Sequence, residues 1–322
     1  MKTLSQYAPV LIPTLNRYEH LKQCLESLSK CSLAEHTEVY IALDFPPSEK
    51  YEVGYKKNKE YLYSIGDMNF KKIHIIERET NYGTWNKGDK GNAKYLIMEI
   101  SQKYDRYIFT EDDNVFSPCF LEFMNKGLEL FKDDESVFAI SGYRWWFPIK
   151  YDTNTFFRQN VDYTPWGVGK WVRTKSKTID EKWFKKQLSL KNILKLFLKG
   201  EFFVLGSLFE FACKEHKDDV LIDQHMRVIM ALQNKHMIIP TSQLVKNIGL
   251  DGTGTMPKNN EKLDNLYYSI PLSEDLHFEY IGDGYEYYKE NHKIYQEGKE
   301  WRGQWFYFKR FINKIVKYIM NK

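Results

Sequence analysis

Cysteine is scarce here: the 322 residues carry four, Cys24, Cys31, Cys119 and Cys213, and no two are spaced as Cys-x-x-Cys. That argues against a zinc site and a disulfide framework, and suits a reducing cytoplasm. No run of 18 apolar residues occurs, so no segment reads as a membrane span. Residues 1–10 hold neither the basic start nor the apolar stretch of a secretory leader, and a cytoplasmic location is expected. Neither sign of charge dominates: 47 basic against 43 acidic residues give +4, too small a surplus to draw the whole chain onto a nucleic acid. Internal repeats and low-complexity linkers are missing as well.

What is present is the composition of a folded chain. Hydrophobic residues make up 43% and charged residues 28%, near the averages for soluble globular proteins. The length allows one large or two modest domains. Aromatic residues reach 16%; ring faces suit sugar binding, but a coding bias towards Tyr, Phe, Lys and Asn gives the same figure.

Strands and helices alternate over about the first 140 residues. Ala8 to Pro13 reads as a strand, followed by a helix that Asn16 caps, with Glu19 as capping-box partner and Leu21, Leu25 and Leu28 on its apolar face. Val39 to Leu43 is a strand ending at Asp44, Glu49 to Ser64 a helix, and Ile73 to Ile76 a strand that leaves through Asn81-Tyr82-Gly83. Gly91 to Tyr104 is helical, Arg106 to Thr110 a strand, and a helix starts at Ser117-Pro118 before a strand over Val137 to Ser141. That order predicts an α/β fold with a doubly wound sheet. Its ligand crevice lies beyond the carboxyl ends of the strands, where Thr14 to Arg17, Asp44, Asn81 to Gly83 and Glu111 to Asp113 all fall. After Tyr143 the signals are irregular, with helical stretches near Glu181 to Phe197 and Asp223 to Gln233.

Three adjacent carboxylates, Glu111-Asp112-Asp113, raise one another's pKa unless a cation intervenes. Oxygen ligands suit Mg²⁺ or Mn²⁺, which share phosphate oxygens with a substrate. The alternative is a solvated acidic turn. Lys87-Gly88-Asp89-Lys90-Gly91-Asn92 precedes a helix, so Lys90 and the backbone N–H groups could meet a phosphate, or the stretch is a polar loop. Arg17 could reach a pyrophosphate or pair with a carboxylate. Asp44 could bond a base or ribose, or serve the turn before Pro46.

Pro13-Thr14-Leu15-Asn16-Arg17, Asn81-x-Gly83, Glu111-Asp112-Asp113 followed by Ser117-Pro118, Trp166-Gly167-x-Gly169-x-Trp171 and Asn247-Ile248-Gly249-Leu250-Asp251-Gly252-x-Gly254-Thr255 occur in that order. Together they resemble GT-A-fold glycosyltransferases, above all bacterial family 2-type sugar transferases and the N-acetylglucosaminyltransferase I group. The resemblance implies a Rossmann-like nucleotide-binding sheet with an acceptor-side extension. It makes Asp113 the metal ligand, Glu111 and Asp112 donor contacts, and Thr14, Arg17 and Asp44 the lining of the nucleotide site; Asn81 and Gly83, at a strand end and in the shared motifs, and Lys90, from its own loop, are further expected donor contacts. Trp166 and Gly167 then floor the sugar pocket, unless the tryptophans only pack in the core. Val168 and Lys170 depart from the aromatic and small residues common in such relatives.

An inverting transfer needs a carboxylate to take the acceptor proton. The resemblance nominates Asp223, against Asp218, Asp219 and Glu210. The implied partners are a nucleotide-sugar, UDP-sugar favoured, and a glycan or lipid-linked glycan acceptor. The expected organisation is a donor-binding half over 1–145, an acceptor and base half over 146–300, and a C-terminal helix over 301–322. In that helix Phe308, Phe311, Ile312, Ile315, Val316, Ile319 and Met320 share one face and Lys309, Arg310, Lys314 and Lys317 fall elsewhere. Such a helix suits an anionic membrane surface, or docks on the body. Two other readings share these features: a sugar-phosphate nucleotidyltransferase and a non-catalytic carbohydrate-binding protein.

Overall fold

The computed structural model describes residues 7–66, 68–83, 91–144, 156–159, 163–172, 181–199, 201–212, 222–254, 270–278, 309, 311–313 and 316. The elements in chain order are β1 (Val10–Thr14), α1 (Tyr18–Leu28), β2 (Glu38–Leu43), α2 (Glu49–Ser64), β3 (Lys72–Glu77), α3 (Asn92–Lys103), β4 (Arg106–Phe109), β5 (Asn114–Phe116), α4 (Phe120–Leu130) and β6 (Val137–Ser141). They continue with β7 (Phe156–Gln159), β8 (Val168–Trp171), α5 (Glu181–Gln187), α6 (Leu190–Leu198), α7 (Phe202–Ala212), α8 (Ile222–Gln233), β9 (His236–Pro240) and β10 (Val245–Asn247).

Successive strand residues point to opposite faces, and both faces of this sheet are covered, which is why its strands read as near-continuous apolar runs. Val10, Ile12, Val39, Ile41 and Ile108 pack with α1 and α4. Leu11, Tyr40, Ala42, Tyr107 and Phe109 pack on the other side with α3 and α8. Eight strands are ordered β3-β2-β1-β4-β8-β6-β9-β7. The first four are mutually parallel, a Rossmann-like half as expected. β8 then runs antiparallel between β4 and β6, β9 is parallel to β6, and β7 closes the edge antiparallel. β5 and β10 form a separate antiparallel ribbon. Because β2 and β4 flank β1 on opposite sides, chain direction across the sheet reverses between β1 and β4. Their carboxyl ends frame the switch point where open α/β sheets bind ligands.

Two local expectations are corrected. Arg17, not Asn16, is the N-cap of α1, and no side-chain hydrogen bond caps the helix. The fourth helix begins after Cys119 instead of at Ser117-Pro118, since the Ser117 hydroxyl donates to the Ser273 carbonyl at 2.6 Å. The stretch 181–197 divides into α5 and α6 at Leu188-Ser189, where the Ser189 hydroxyl caps α6 by accepting from the Asn192 N–H at 3.3 Å. Cys213, the Asp218 and Asp219 alternatives, and both expected unit boundaries, 145/146 and 300/301, lie outside the described residues.

Lys170 stands in β8 opposite Tyr107 and is buried, its ammonium 4.3 Å from the Phe138 ring centroid and 5.7 Å from that of Tyr163. Burial pushes its pKa down to about 8. A base whose folded pKa is depressed destabilises the fold while it is protonated, and the deficit disappears as pH rises from about 8 towards the ordinary 10.5. Lys170→Met is therefore expected to be more stable than wild type by about 2 kcal/mol at neutral pH. Denaturant titrations should find the difference shrinking towards pH 10.

Candidate active site

The turn after β1 and the turn after β4 meet directly. The Arg17 guanidinium bridges two carboxylates: Nη1 donates to Asp113 Oδ2 at 2.7 Å and Nη2 to Asp112 Oδ1. The Thr14 hydroxyl donates to the other Asp112 oxygen at 2.7 Å and itself accepts from Asn58 Nδ2, on α2, at 3.0 Å. Asp112 and Asp113 are 5% and 6% exposed, so these are buried charges whose stability depends on their partners. Burial works against the Arg17 charge, yet the two carboxylates hold its pKa above the ordinary value. Burial pushes Glu111 well above the carboxylate range, with Asp113 next in effect, and Trp166 bonds its side chain.

The β5–β10 ribbon closes on the same cluster. Asn247 pairs with Asn114 in register, and its Nδ2 donates to Asp113 Oδ1 at 2.8 Å and to Asn114 Oδ1 at 3.1 Å. The Ile248 N–H donates to the Asp113 carbonyl at 2.8 Å, and the Gly249 N–H to Asn247 Oδ1 at 2.9 Å. A Cβ on Gly249 would sit 2.0 Å from Asp113 Oδ2, and one on Gly254 would sit 3.1 Å from Arg17 Nη1. The glycines of this late segment thus leave the room that the Arg17–Asp113 pair occupies.

A second cluster joins β2 to the loop after β3. Asp44 Oδ1 accepts from the N–H groups of Phe45 (3.0 Å) and Tyr82 (2.8 Å), and Oδ2 from Asn81 Nδ2 (3.2 Å) and the Gly83 N–H (2.9 Å). The Asp44 N–H donates to the Thr14 carbonyl at 2.9 Å, which ties this clamp to the first cluster. Gly83 has φ 76°, the left-handed conformation that favours glycine. Arg78 braces the loop from behind with a bidentate pair to Glu99 at 2.7 and 3.2 Å, and its guanidinium carbon lies 4.9 Å from the Tyr82 ring centroid.

Trp166 stands edge-on to Tyr143, with ring centroids 4.9 Å apart. Gly167 has φ 63°, and a Cβ there would come within 2.7 Å of Val245, so glycine allows the turn that presents Trp166. Asp223 lies in the first turn of α8 and is half-buried. It and Glu111 both act electrostatically on the buried Tyr163, whose pKa is raised by burial first, then by Tyr107, and only then by these carboxylates. Glu210 is buried in α7. Lys90 lies outside the described residues.

The structure thus brings Thr14, Arg17, Glu111, Asp112, Asp113 and Trp166 together, with Asp44, Asn81 and Gly83 in an adjoining clamp. The individual contacts of Asn58, Arg78 and Asn247 were not anticipated. The Asn-Ile-Gly stretch was the one sequence signal for Asn247.

Among the described residues no group of three or more His, Cys, Asp or Glu side chains is arranged to hold a metal ion. A Mg²⁺ or Mn²⁺ completed by substrate phosphates needs only one or two carboxylates, and Asp112 and Asp113 are such a pair. Each oxygen that already accepts a hydrogen bond keeps a further lone pair. Burial first, then the Asp113 carboxylate, outweigh Arg17 at Glu111; a cation beside it would favour the charged form. The donor chemistry fits a hard divalent cation.

No protein-family model matches the chain, and no curated protein matches it. Among solved structures it is similar to a fragment of S. aureus TarS, residues 1–349, at 11% identity over 98% of this chain and 81% of that one, with TM-score 0.40. The mannosyltransferase PcManGT from Pyrobaculum calidifontis, in complex with GDP-Man and Mn²⁺, matches at 12% identity over 72% of this chain and 71% of that one, with TM-score 0.35. The glycosyltransferase GlyE of Streptococcus pneumoniae TIGR4 matches at 12% over 72% and 45%, with TM-score 0.32. The chain spans 25% of the longer TarS chain.

Proposed function

We propose that the chain is a metal-dependent, inverting glycosyltransferase that moves a sugar from a nucleotide-sugar, UDP-sugar favoured, to a glycan or lipid-linked glycan in surface-polysaccharide synthesis. The observation that carries this reading is the buried Arg17–Asp112–Asp113 cluster at the carboxyl ends of β1 and β4. A crevice at the switch point of an α/β sheet is where a nucleotide binds, and paired acidic residues there suit its diphosphate only with a cation between them.

In this reading Asp113 would hold the metal, which would supply charge stabilisation to the departing diphosphate. Arg17 and Thr14 orient the acidic turn, and Arg17 offers its exposed edge to the diphosphate. Asp44, Asn81 and Gly83 keep the loop that borders the nucleotide in place, and Lys90 is a further donor contact. Glu111 and Asp112 face the donor sugar, and Trp166 with Gly167 forms the floor on which its apolar face rests. Asp223 takes the proton from the acceptor hydroxyl as that oxygen attacks the anomeric carbon. Residues 1–145 bind the donor and 146–300 the acceptor, while 301–322 rest on the inner face of the cell membrane.

A thermal-shift screen of UDP-, GDP-, CMP- and dTDP-sugars, with and without Mn²⁺, tests the reading. A ligand at 100 times its Kd stabilises the native state by about 2.7 kcal/mol, a rise of several degrees. One nucleotide-sugar is expected to give such a rise, larger with Mn²⁺. No shift with any of them overturns the proposal, and pyrophosphate release from a nucleoside triphosphate with a sugar phosphate replaces it with nucleotidyl transfer.

A further inference from the structure

Twelve large apolar side chains stand exposed among the described residues, and six belong to one helical module: Leu190, Leu194, Phe197 and Leu198 on α6, and Ile312 and Val316 near the C-terminus. Leu198 is 82% exposed and Leu190 72%. An amphipathic surface helix normally turns its apolar stripe to the core. In α6 that task falls to Leu196 and Ile193, which join α7 and α8 in a common core. Leu190, Leu194 and Leu198 recur at i, i+4 and i+8 and form a different row, in solvent, with Phe197 beside it.

The adjacent row, one position on, is Lys191, Lys195 and Lys199. Lys195 Nζ donates to the Leu232 carbonyl at 3.2 Å and Lys199 Nζ to Asn234 Oδ1 at 3.3 Å. Each ammonium has three donors, so these bonds fix the lysines without exhausting them. Phe311 belongs to the same core as Leu196 and meets Phe209 with ring centroids 5.6 Å apart, so the module that carries α6 also carries the helical residues 309, 311–313 and 316.

Charge identifies the occupant. The described residues 183–199, 309, 311–313 and 316 hold six basic residues, Lys185, Lys186, Lys191, Lys195, Lys199 and Lys309, and no acidic one. A second copy would bring like charge against like. An anionic lipid surface accepts both rows at once, leucines at the acyl boundary and lysines at the headgroup phosphates.

We propose that α6 is a membrane-docking helix that lies in the headgroup region of an anionic bilayer, with Ile312 and Val316 as a second contact of the same module. The inference concerns binding and does not depend on the reaction catalysed. Flotation of the full chain with phosphatidylcholine vesicles, with and without phosphatidylglycerol, tests it. Wild type is expected to float with the anionic vesicles only and to be released by salt. Leu190→Ser/Leu194→Ser/Leu198→Ser, which alters side chains already in solvent, is expected to bind at least about tenfold more weakly at an unchanged melting temperature. Ile312→Ser/Val316→Ser is expected to lose less. Equal flotation with neutral vesicles, no flotation, or flotation untouched by the triple variant overturns the proposal. So does self-association that the triple variant abolishes in a protein that does not float.

Discussion

Replacing Arg17 by methionine is expected to lower the melting temperature by about 6 °C. The reason is asymmetry. A buried ion pair contributes little net stability, but removing one partner strands the other in a medium that cannot solvate it, at a cost of about 3–5 kcal/mol. Here one guanidinium serves two carboxylates, so its loss strands both Asp112 and Asp113 beside Glu111. At about 2 cal/mol/K of unfolding entropy per residue, each kcal/mol is worth roughly 1.5 °C in a chain of 322 residues.

Two further readings separate this cause from lost packing of the arginine stem. Burial already holds the Asp113 pKa above its ordinary value and loss of Arg17 removes the charge that opposes this, so the stability Asp113 contributes is present in acid and lost as pH rises through the folded pKa. The deficit of Arg17→Met is therefore expected to be smaller at pH 5 than at pH 8 in denaturant titrations. Adding Asp113→Asn is expected to restore part of the loss, since the second substitution removes one of the stranded charges. A deficit that ignores both pH and Asp113→Asn would mean that packing, not charge, is what Arg17 supplies.

The first 140 residues were legible because both faces of the sheet are covered. Strands buried on two sides have no alternation to obscure them, and α2 matches its predicted span, Glu49 to Ser64, at both ends. Chain order alone then set the carboxylates at a strand end. Illegibility had equally local causes. Asn16 has the chemistry of a cap, but Arg17 takes the N-cap position while its guanidinium holds the two aspartates. α7 is buried on every described side from Val204 to Ala212 and so has no stripe to read. β5 and β10 are three residues each, too short for a period, yet their pairing carries Asn247 to Asp113 across 134 positions. β8 breaks the parallel order with Val-Gly-Lys-Trp, where a buried lysine stands at a position that alternation reserves for an apolar side chain. α6 shows the opposite fault: its pattern is a strong helical signal, but the pattern does not say which apolar row meets the core.

Asp113→Asn is expected to reduce nucleotide-sugar turnover by about 10³-fold, the scale on which losing one preorganised charge contact in a catalytic site is measured. Stability should change far less than in Arg17→Met, because the substitution keeps the shape and removes a buried negative charge where burial has already pushed the Asp113 pKa upward. Arg17 keeps its bond to Asp112, and the new amide oxygen can still accept from Asn247. What the variant loses is the charged oxygen that faces Arg17 and, in the proposed reaction, the anionic ligand of the divalent cation. Turnover and melting temperature measured on the same preparation, with Mn²⁺ titrated, separate the two possible roles of this residue. Lost turnover with preserved folding and a weakened Mn²⁺ response identifies a reaction-site ligand. Normal turnover with a large drop in melting temperature would make Asp113 a structural counter-ion of Arg17 and remove the metal from the proposed mechanism.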